Sequence, residues 1–494
     1  MIEQLKKEAN RTCTENGAAA HMTTGSDCLD LFATIGALRN ADRQQILDRF
    51  LRAFTEDPDL AVRILFFARD VRGGLGERSV FRVCLQWLAQ HEPACVRKNL
   101  PLVAEFGRWD DLLCLLDTPC QQDALRLIRR QFHADLAAME SGGQVSLLAK
   151  WLPSVNASSA KTVQQAKRIA GFLGMRDAEY RKTLALLRKH LGILENDLRQ
   201  GAYTFDYAQQ PSKAMFKYRK AFLRNDAARY RAFLAKVARG EARMHADTLM
   251  PYELVEPYLR FDWACRSYMR AIDEDQKAAL NATWESLPAF APKGNALAVI
   301  DTSASMYCQG KPMPASVALS LGLYFAQHNT GAFANHILEF SAKPRLIQVK
   351  GETFADRLRY VASRNEIANT NLEAVFDLIL DTAVKNRVPA EEMPATLYLI
   401  SDMEFDYCVR NADATVFENA KTRFASCGYQ LPRIVFWNVQ SRNTQQPVTS
   451  NEQGVALVSG CTPRIFRMVS DDQLSPLGYM LQILGKERYA GISA

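Results

Sequence analysis

The spacing of apolar residues changes once along this chain, near residue 290, and that change limits the folds open to it. From about Asp27 to Leu287 apolar residues recur every three or four positions, as in LDLFATIGALR (29–39), VFRVCLQWLA (80–89) and DALRLIRRQF (123–132). That spacing places them on one face of a helix. Gly73-Gly74, Gly107, Gly142-Gly143, Pro153, Pro211, Pro251 and Pro257 punctuate the stretch. Many helices joined by short turns predict a helical-repeat stack, although no clean sequence period repeats. AFAPKGN (289–295) reads as a junction, with two strand breakers ahead of the first buried strand. Beyond it, strand-like runs at 296–300, 335–340, 345–349, 396–400 and 433–439 alternate with helical ones at 313–327, 371–385 and 414–425. Such alternation predicts a doubly wound α/β domain, with 473–487 as a closing helix. The expected fold class is therefore α plus α/β: an arm over 1–26, a helical module over 27–290 and an α/β domain over 291–494.

Composition removes several alternatives. At 494 residues the chain exceeds one ordinary domain, and 48% hydrophobic against 23% charged residues is globular composition. No apolar run approaches the length of a membrane span, and MIEQLKKEANR lacks the apolar core of a secretion signal. A cytoplasmic protein is expected. Eleven cysteines without a C-x-x-C pair point to free thiols, and seven dispersed histidines argue against a zinc enzyme.

Two of the predicted strands end in oxygen-bearing side chains. ALAVI (296–300) runs into Asp301, Ser303 and Ser305, and LYLI (397–400) runs into Ser401 and Asp402; Thr370 sits at a helix entry between them. The carboxyl ends of strands in an open α/β sheet are where ligands bind. Hydroxyls and carboxylates together suit a hard divalent cation, and Mg²⁺ favours oxygen ligands and keeps some of its waters. The expected metal set is Asp301, Ser303, Ser305, Thr370 and Asp402. The serines bind directly, Thr370 gives a third contact, and the acids hold waters and supply charge. Asp406 is either an outer partner or a solvated loop acid. The competing interpretation is that these residues only cap helices.

Charge is unevenly placed. Residues 151–250 carry 19 basic against 8 acidic side chains, whereas 301–494 carry 18 against 19. In PSKAMFKYRKAFLRND, Lys213, Lys217, Lys220 and Arg224 fall within about a 60° arc of a helix. Met215, Tyr218 and Phe222 take the other side. In YRKTLALLRKH, Arg181 and Arg188 form one column and Lys182 and Lys189 another, and Lys161, Lys167 and Arg168 add to the block. A solvated amphipathic face is the plain explanation of one such helix. Two in one basic block favour contact with nucleic-acid phosphates, steep in salt and indifferent to base. Tyr180, Phe216 and Tyr218 are expected to pack in the core rather than stack on bases.

VRGGLGERSVFR (71–82) has the glycines of a phosphate loop but neither a preceding strand nor a Gly-Lys-Ser/Thr ending, so a corner between helices is expected. In FGRWDDLL (106–113) the acids Asp110 and Asp111 are expected to cap a helix, with Arg108 beside them. No Ser/His/Asp or Cys/His grouping stands out.

ARDVRGGLGER (68–78), FGRWDDLL, LLAKWLPS (147–154), YRKTLALLRK (180–189), the stretch from PSKAM to YRKAFLRND, AVIDTSASM, LISDMEFD (399–406) and VFWNVQSR (435–442) together resemble a family related to the Ro autoantigen, of TROVE architecture. The resemblance runs from about Asn16 to Gly491. It implies a ring of HEAT-like helices closed by a von Willebrand factor A-like domain. It also implies small noncoding RNA on the basic outer surface, single-stranded RNA ends in a central hole, and a metal-ion-dependent adhesion site at Asp301, Ser303, Ser305, Thr370 and Asp402. Ile367-Ala368-Asn369 departs from the glycine usual in such domains and leaves the role of Thr370 open. The expected protein is a non-enzymatic RNA binder carrying Mg²⁺. The alternative is a scaffold whose metal takes a carboxylate from a protein partner. A metal-dependent nuclease fits worst, because two acids are few for two-metal chemistry.

Overall fold

The caps that start the first long helices are legible residue by residue. Ser26 accepts the Leu29 N–H and opens the helix Asp27–Thr34. Asp42 and Gln45 form a reciprocal cap on Arg43–Glu56, and Asp57, followed by Pro58, opens Pro58–Arg69. The computed structural model describes residues 1–262, 266–290, 294–307, 310–340, 343–364, 367, 369–406, 414–469 and 475–494. Across them a helix-rich N-terminal region precedes a mixed, mainly parallel sheet. The junction at 291–293, Ala368, and the first two residues of the predicted closing helix lie outside the described residues; that helix is seen over Pro476–Leu484.

Ten strands are described. β1 (Arg11–Cys13) and β2 (Ala19–His21) form an antiparallel ribbon in the arm, and β3 (Leu259–Phe261) and β4 (Ser267–Met269) a second within the helical region. The main sheet contains β5 (Ala296–Asp301), β6 (His336–Phe340), β7 (Arg345–Gln348), β8 (Thr396–Ser401), β9 (Arg433–Asn438) and β10 (Val455–Ser459), in the order β10-β9-β8-β5-β6-β7. All its pairs are parallel except β6 with β7. Alternation along β5 buries the sheet on both sides. Ala296, Ala298 and Ile300 join one core, and Leu297 and Val299 join the other with Phe376, Phe417 and Phe424. The sequence reading missed β10, the two ribbons and the helix Phe354–Arg364.

The helices from Asp27 to His190, together with Leu249, Leu254, Tyr258 and Leu280, share a core with the first face of the sheet, whereas Leu194, Tyr207, Met215, Phe222, Tyr230 and Phe233 build a separate one. Contact with the sheet domain is close at both chain ends. A Cβ on Gly36 would lie 2.6 Å from the Ser459 carbonyl at the end of β10, and only glycine permits that approach. Near the C-terminus, Arg488 Nη2 donates to Asp70 Oδ1 at 2.8 Å, and Asn99 Nδ2 donates to the Ser493 carbonyl at 2.6 Å. Among the described residues no helix is long and apolar enough to cross a membrane.

Candidate metal and nucleic-acid sites

The strand order fixes where a ligand crevice opens. From β5 the chain moves to β6 on one side and later returns to β8 on the other, so the loops leaving β5 and β8 diverge at the sheet's carboxyl edge. β5 ends at Asp301 and β8 at Ser401, next to Asp402. Asp301 is buried and accepts the Ser303 N–H at 2.8 Å and the Ser401 hydroxyl at 2.6 Å. The hydroxyls of Ser303 and Ser305 lie 3.0 Å apart, with Ser303 buried and Ser305 half-buried. Asp402, also buried, accepts the Glu404 N–H at 3.3 Å. Thr370 is buried at the same edge. Its carbonyl accepts the Asp406 N–H at 3.0 Å, and its hydroxyl stands 3.5 Å from Asn16 Nδ2.

Burial, reinforced by the negative charge of Asp402, pushes the Asp301 carboxyl up to about 7. Two acids enclosed this closely need a positive charge to remain ionised together. An oxygen-only donor set of hydroxyls and carboxylates fits a hard divalent ion and no softer one. Among the described residues no group of three or more His, Cys, Asp or Glu side chains that could hold a metal ion is found. Burial also raises the half-buried Asp406, whose backbone rather than its carboxylate holds Thr370.

Three participants at this edge were not picked out from the sequence. Arg442, just beyond β9, places Nη2 2.9 Å from Asp402 Oδ2 and Nη1 2.7 Å from Glu15 Oε2. Glu404, buried, accepts the Glu15 N–H at 2.8 Å together with side-chain amides of Asn443 and Gln445. The arm is the third: Thr14 donates to the Phe405 carbonyl at 2.5 Å and Asn16 Nδ2 to the Glu404 carbonyl at 2.7 Å. A signal existed in SDMEFD, where Glu404 sits between two apolar residues as a buried, partnered acid must.

The basic block divides into two groups. Arg188 turns inward and donates to the carbonyls of Ala149 and Leu152, with burial holding its guanidinium below its ordinary range. Arg168 is tied to Leu116, Asp117 and Gln121. Lys213 pairs with Glu253 at 2.5 Å, and Lys167 lies 3.7 Å from Asp177. These four differ from the expectation of free cations because the packed helices present carbonyls and acids within their reach. Lys161, Arg181, Lys182, Lys189, Lys217, Lys220 and Arg224 are exposed, with no acidic partner among the described residues. Tyr180 and Phe216 are buried and Tyr218 is half-buried, as core packing requires.

The glycine-rich segment is a corner between helices Pro58–Arg69 and Ser79–His91. A Cβ on Gly74 would strike the Phe67 carbonyl. The acids of FGRWDD do more than cap a turn. Asp111 accepts the Arg108 N–H at 2.9 Å, and also takes Arg69 and Arg82, each at 2.7 Å.

The profile of a domain of unknown function, DUF2828, matches residues 14–130 and 122–289 of the chain, and that of a second, DUF7788, matches 295–475. Uncharacterized protein L728 of Acanthamoeba polyphaga mimivirus is 27% identical over 514 aligned residues, which span 96% of this chain and 87% of the viral one. The crystal structure of the Deinococcus radiodurans Ro (RSR) protein superposes with a TM-score of 0.44 at 14% identity, covering 89% of this chain and 93% of that one.

Proposed function

The chain belongs to the DUF2828 family, and on that premise we propose that it is a non-catalytic, cytoplasmic RNA-binding protein of Ro-like architecture. In this reading residues 27–290 form a TROVE-like helical ring, and residues 291–494 form a von Willebrand factor A-like domain that holds Mg²⁺. The observation that carries it is the set of exposed cations without acidic partners among the described residues on the helices Ala160–Phe172, Asp177–His190 and Ser212–Asn225. Internal ion pairs would have cancelled a merely decorative charge. Cations left unpaired in a block with this excess make a field that attracts a polyanion, and each phosphate they neutralise releases a counterion.

Asp301, Ser303, Ser305, Thr370 and Asp402 would hold the ion. When bound, it supplies the positive charge that lets Asp301 and Asp402 stay ionised side by side. Arg442 meets part of that need at Asp402, whereas Asp301 receives only neutral donors among the described residues. Filter binding of single-stranded and structured RNA across a salt series tests the proposal. Binding that weakens steeply with salt and falls in the Lys217→Glu, Lys220→Glu double variant is expected. Absent or salt-insensitive binding, or an unaffected variant, overturns it.

A further inference from the structure

Two segments of the helical region, one carrying Arg78 and Arg82 and the other Arg108, bring together arginines that belong to neither site above. The corner before the helix Ser79–His91 carries Arg78, the first turn of that helix carries Arg82, and Arg108 precedes the turn Trp109–Leu115. Arg108 donates to Asp110 Oδ1 at 2.9 Å and to Oδ2 at 2.7 Å, and its guanidinium carbon lies 3.8 Å from the centre of the Trp151 ring. Arg82 reaches Asp111 at 2.7 Å and Asp110 at 2.8 Å, and Arg69 backs Asp111 from the core. Two acids thus answer three arginines, and a fourth is left over. Arg78 is exposed, and its side chain has no ion-pair or hydrogen-bond partner among the described residues. Burial, and then the like charges of Arg108 and Arg82, lower its guanidinium from the ordinary value. Lys150 Nζ, 5.8 Å from the Trp151 ring centre, adds another cation without an acidic partner among the described residues.

Holding like charges together costs energy unless an anion joins them. The acids already present cannot take up Arg78, because each is occupied. Burial would raise Asp110, but hydrogen bonds from Arg108 and Arg82 hold it below the ordinary carboxylate range, so it stays charged and fixed. Counting Arg69, Arg78, Arg82 and Arg108 against Asp110 and Asp111 leaves two unbalanced positive charges. The first turn of the helix Ser79–His91 carries neither a side-chain cap nor an acid, so its leading N–H groups add to the same field.

We propose that Arg78, Arg82 and Arg108, with Lys150 at the rim, form a binding site for a terminal phosphate monoester. Two excess charges match a dianion better than a singly charged diester or a carboxylate, and planar guanidinium groups suit phosphate oxygens. In taking a strand end as the source of that phosphate, the proposal rests on the RNA-binding function above; in taking a phosphate at all, it does not.

The test uses the full chain and two probes. Inorganic phosphate, at ionic strength held constant with chloride, should raise the melting temperature of the wild type and have no effect on Arg78→Gln. Because Arg78 has no partner, that variant should fold as the parent does, which circular dichroism checks. A short single-stranded RNA with a 5′-phosphate should bind the wild type about tenfold more tightly than its 5′-hydroxyl counterpart, and Arg78→Gln should erase the difference. Lys217→Gln with Lys220→Gln should weaken both strands equally and leave the phosphate response intact. No phosphate response in the wild type, or an unchanged one in Arg78→Gln, overturns the site. A phosphate response that needs Arg78, with no RNA bound by any form, supports the site with a small phosphorylated ligand and overturns the RNA function instead.

Discussion

Replacing Lys217 and Lys220 with glutamine removes two of the three exposed cations on the helix Ser212–Asn225 that have no acidic partner among the described residues, and the salt dependence of RNA binding counts them. Six exposed cations without acidic partners among the described residues lie on that helix and on Asp177–His190: Arg181, Lys182, Lys189, Lys217, Lys220 and Arg224. For a single strand the logarithm of affinity falls against the logarithm of salt with a slope of about −0.7 per neutralised phosphate. Six contacts give a slope of roughly −4, and removing two flattens it to roughly −3. Over a fourfold rise in salt the wild type then weakens about 300-fold and the variant about 50-fold. Fluorescence polarisation of a labelled strand over a salt series measures both slopes. Lys213→Gln is the internal control, since Lys213 already spends its charge on Glu253, 2.5 Å away. An equal slope in the double variant and the wild type would refute the reasoning, as would a Lys213→Gln effect as large as that of Lys217→Gln.

The remaining expectations concern the metal edge and the two joints. Asp301→Asn should raise the melting temperature of cation-free protein by removing one of two enclosed negative charges, and should abolish stabilisation by Mg²⁺, which in the wild type reaches about 2.7 kcal/mol at a hundredfold excess over Kd; a wild-type melting temperature indifferent to Mg²⁺ would contradict this. Arg488→Ala strips the buried Asp70 of its ionic partner and should cost about 2–3 kcal/mol in urea denaturation. Burial would raise the Asp70 carboxyl, but hydrogen bonds from Arg488 and the backbone hold it below the usual carboxylate range. Its contribution is therefore complete above the unfolded value near ~4 and is lost as pH falls through the folded value, so Arg488→Ala should flatten the acid limb of a stability–pH curve. Gly36→Ala should destabilise by more than about 2 kcal/mol, because the new methyl group meets backbone at the end of β10; an unchanged melting temperature would show that the joint can move.

Local sequence rules determined a good deal. Period-three-to-four patterning, giving way to short apolar runs, separated the helical region from the sheet, because burial of an apolar face or run needs no knowledge of the partner that covers it. The strand ends at Asp301 and Ser401 were legible for the same reason: an apolar run that stops at hydroxyls and acids must stop at an edge. β10 was missed although VALVS is an apolar run buried on both faces like those of β5 and β8.

What the tertiary structure decided was pairing. Arg168 and Arg188 look like Lys189 and Lys217 in the sequence, yet the first two are tied to carbonyls or acids of other helices and the last two are not. Arg442 joins Asp402 to Glu15, more than four hundred residues from Arg442 in the chain, and Arg69, Arg82 and Arg108 gather around Asp110 and Asp111. A side chain's type and spacing set which face of its element it occupies. Whether its charge is cancelled depends on which distant residue the packed chain brings within about 4 Å, and only the fold holds that information.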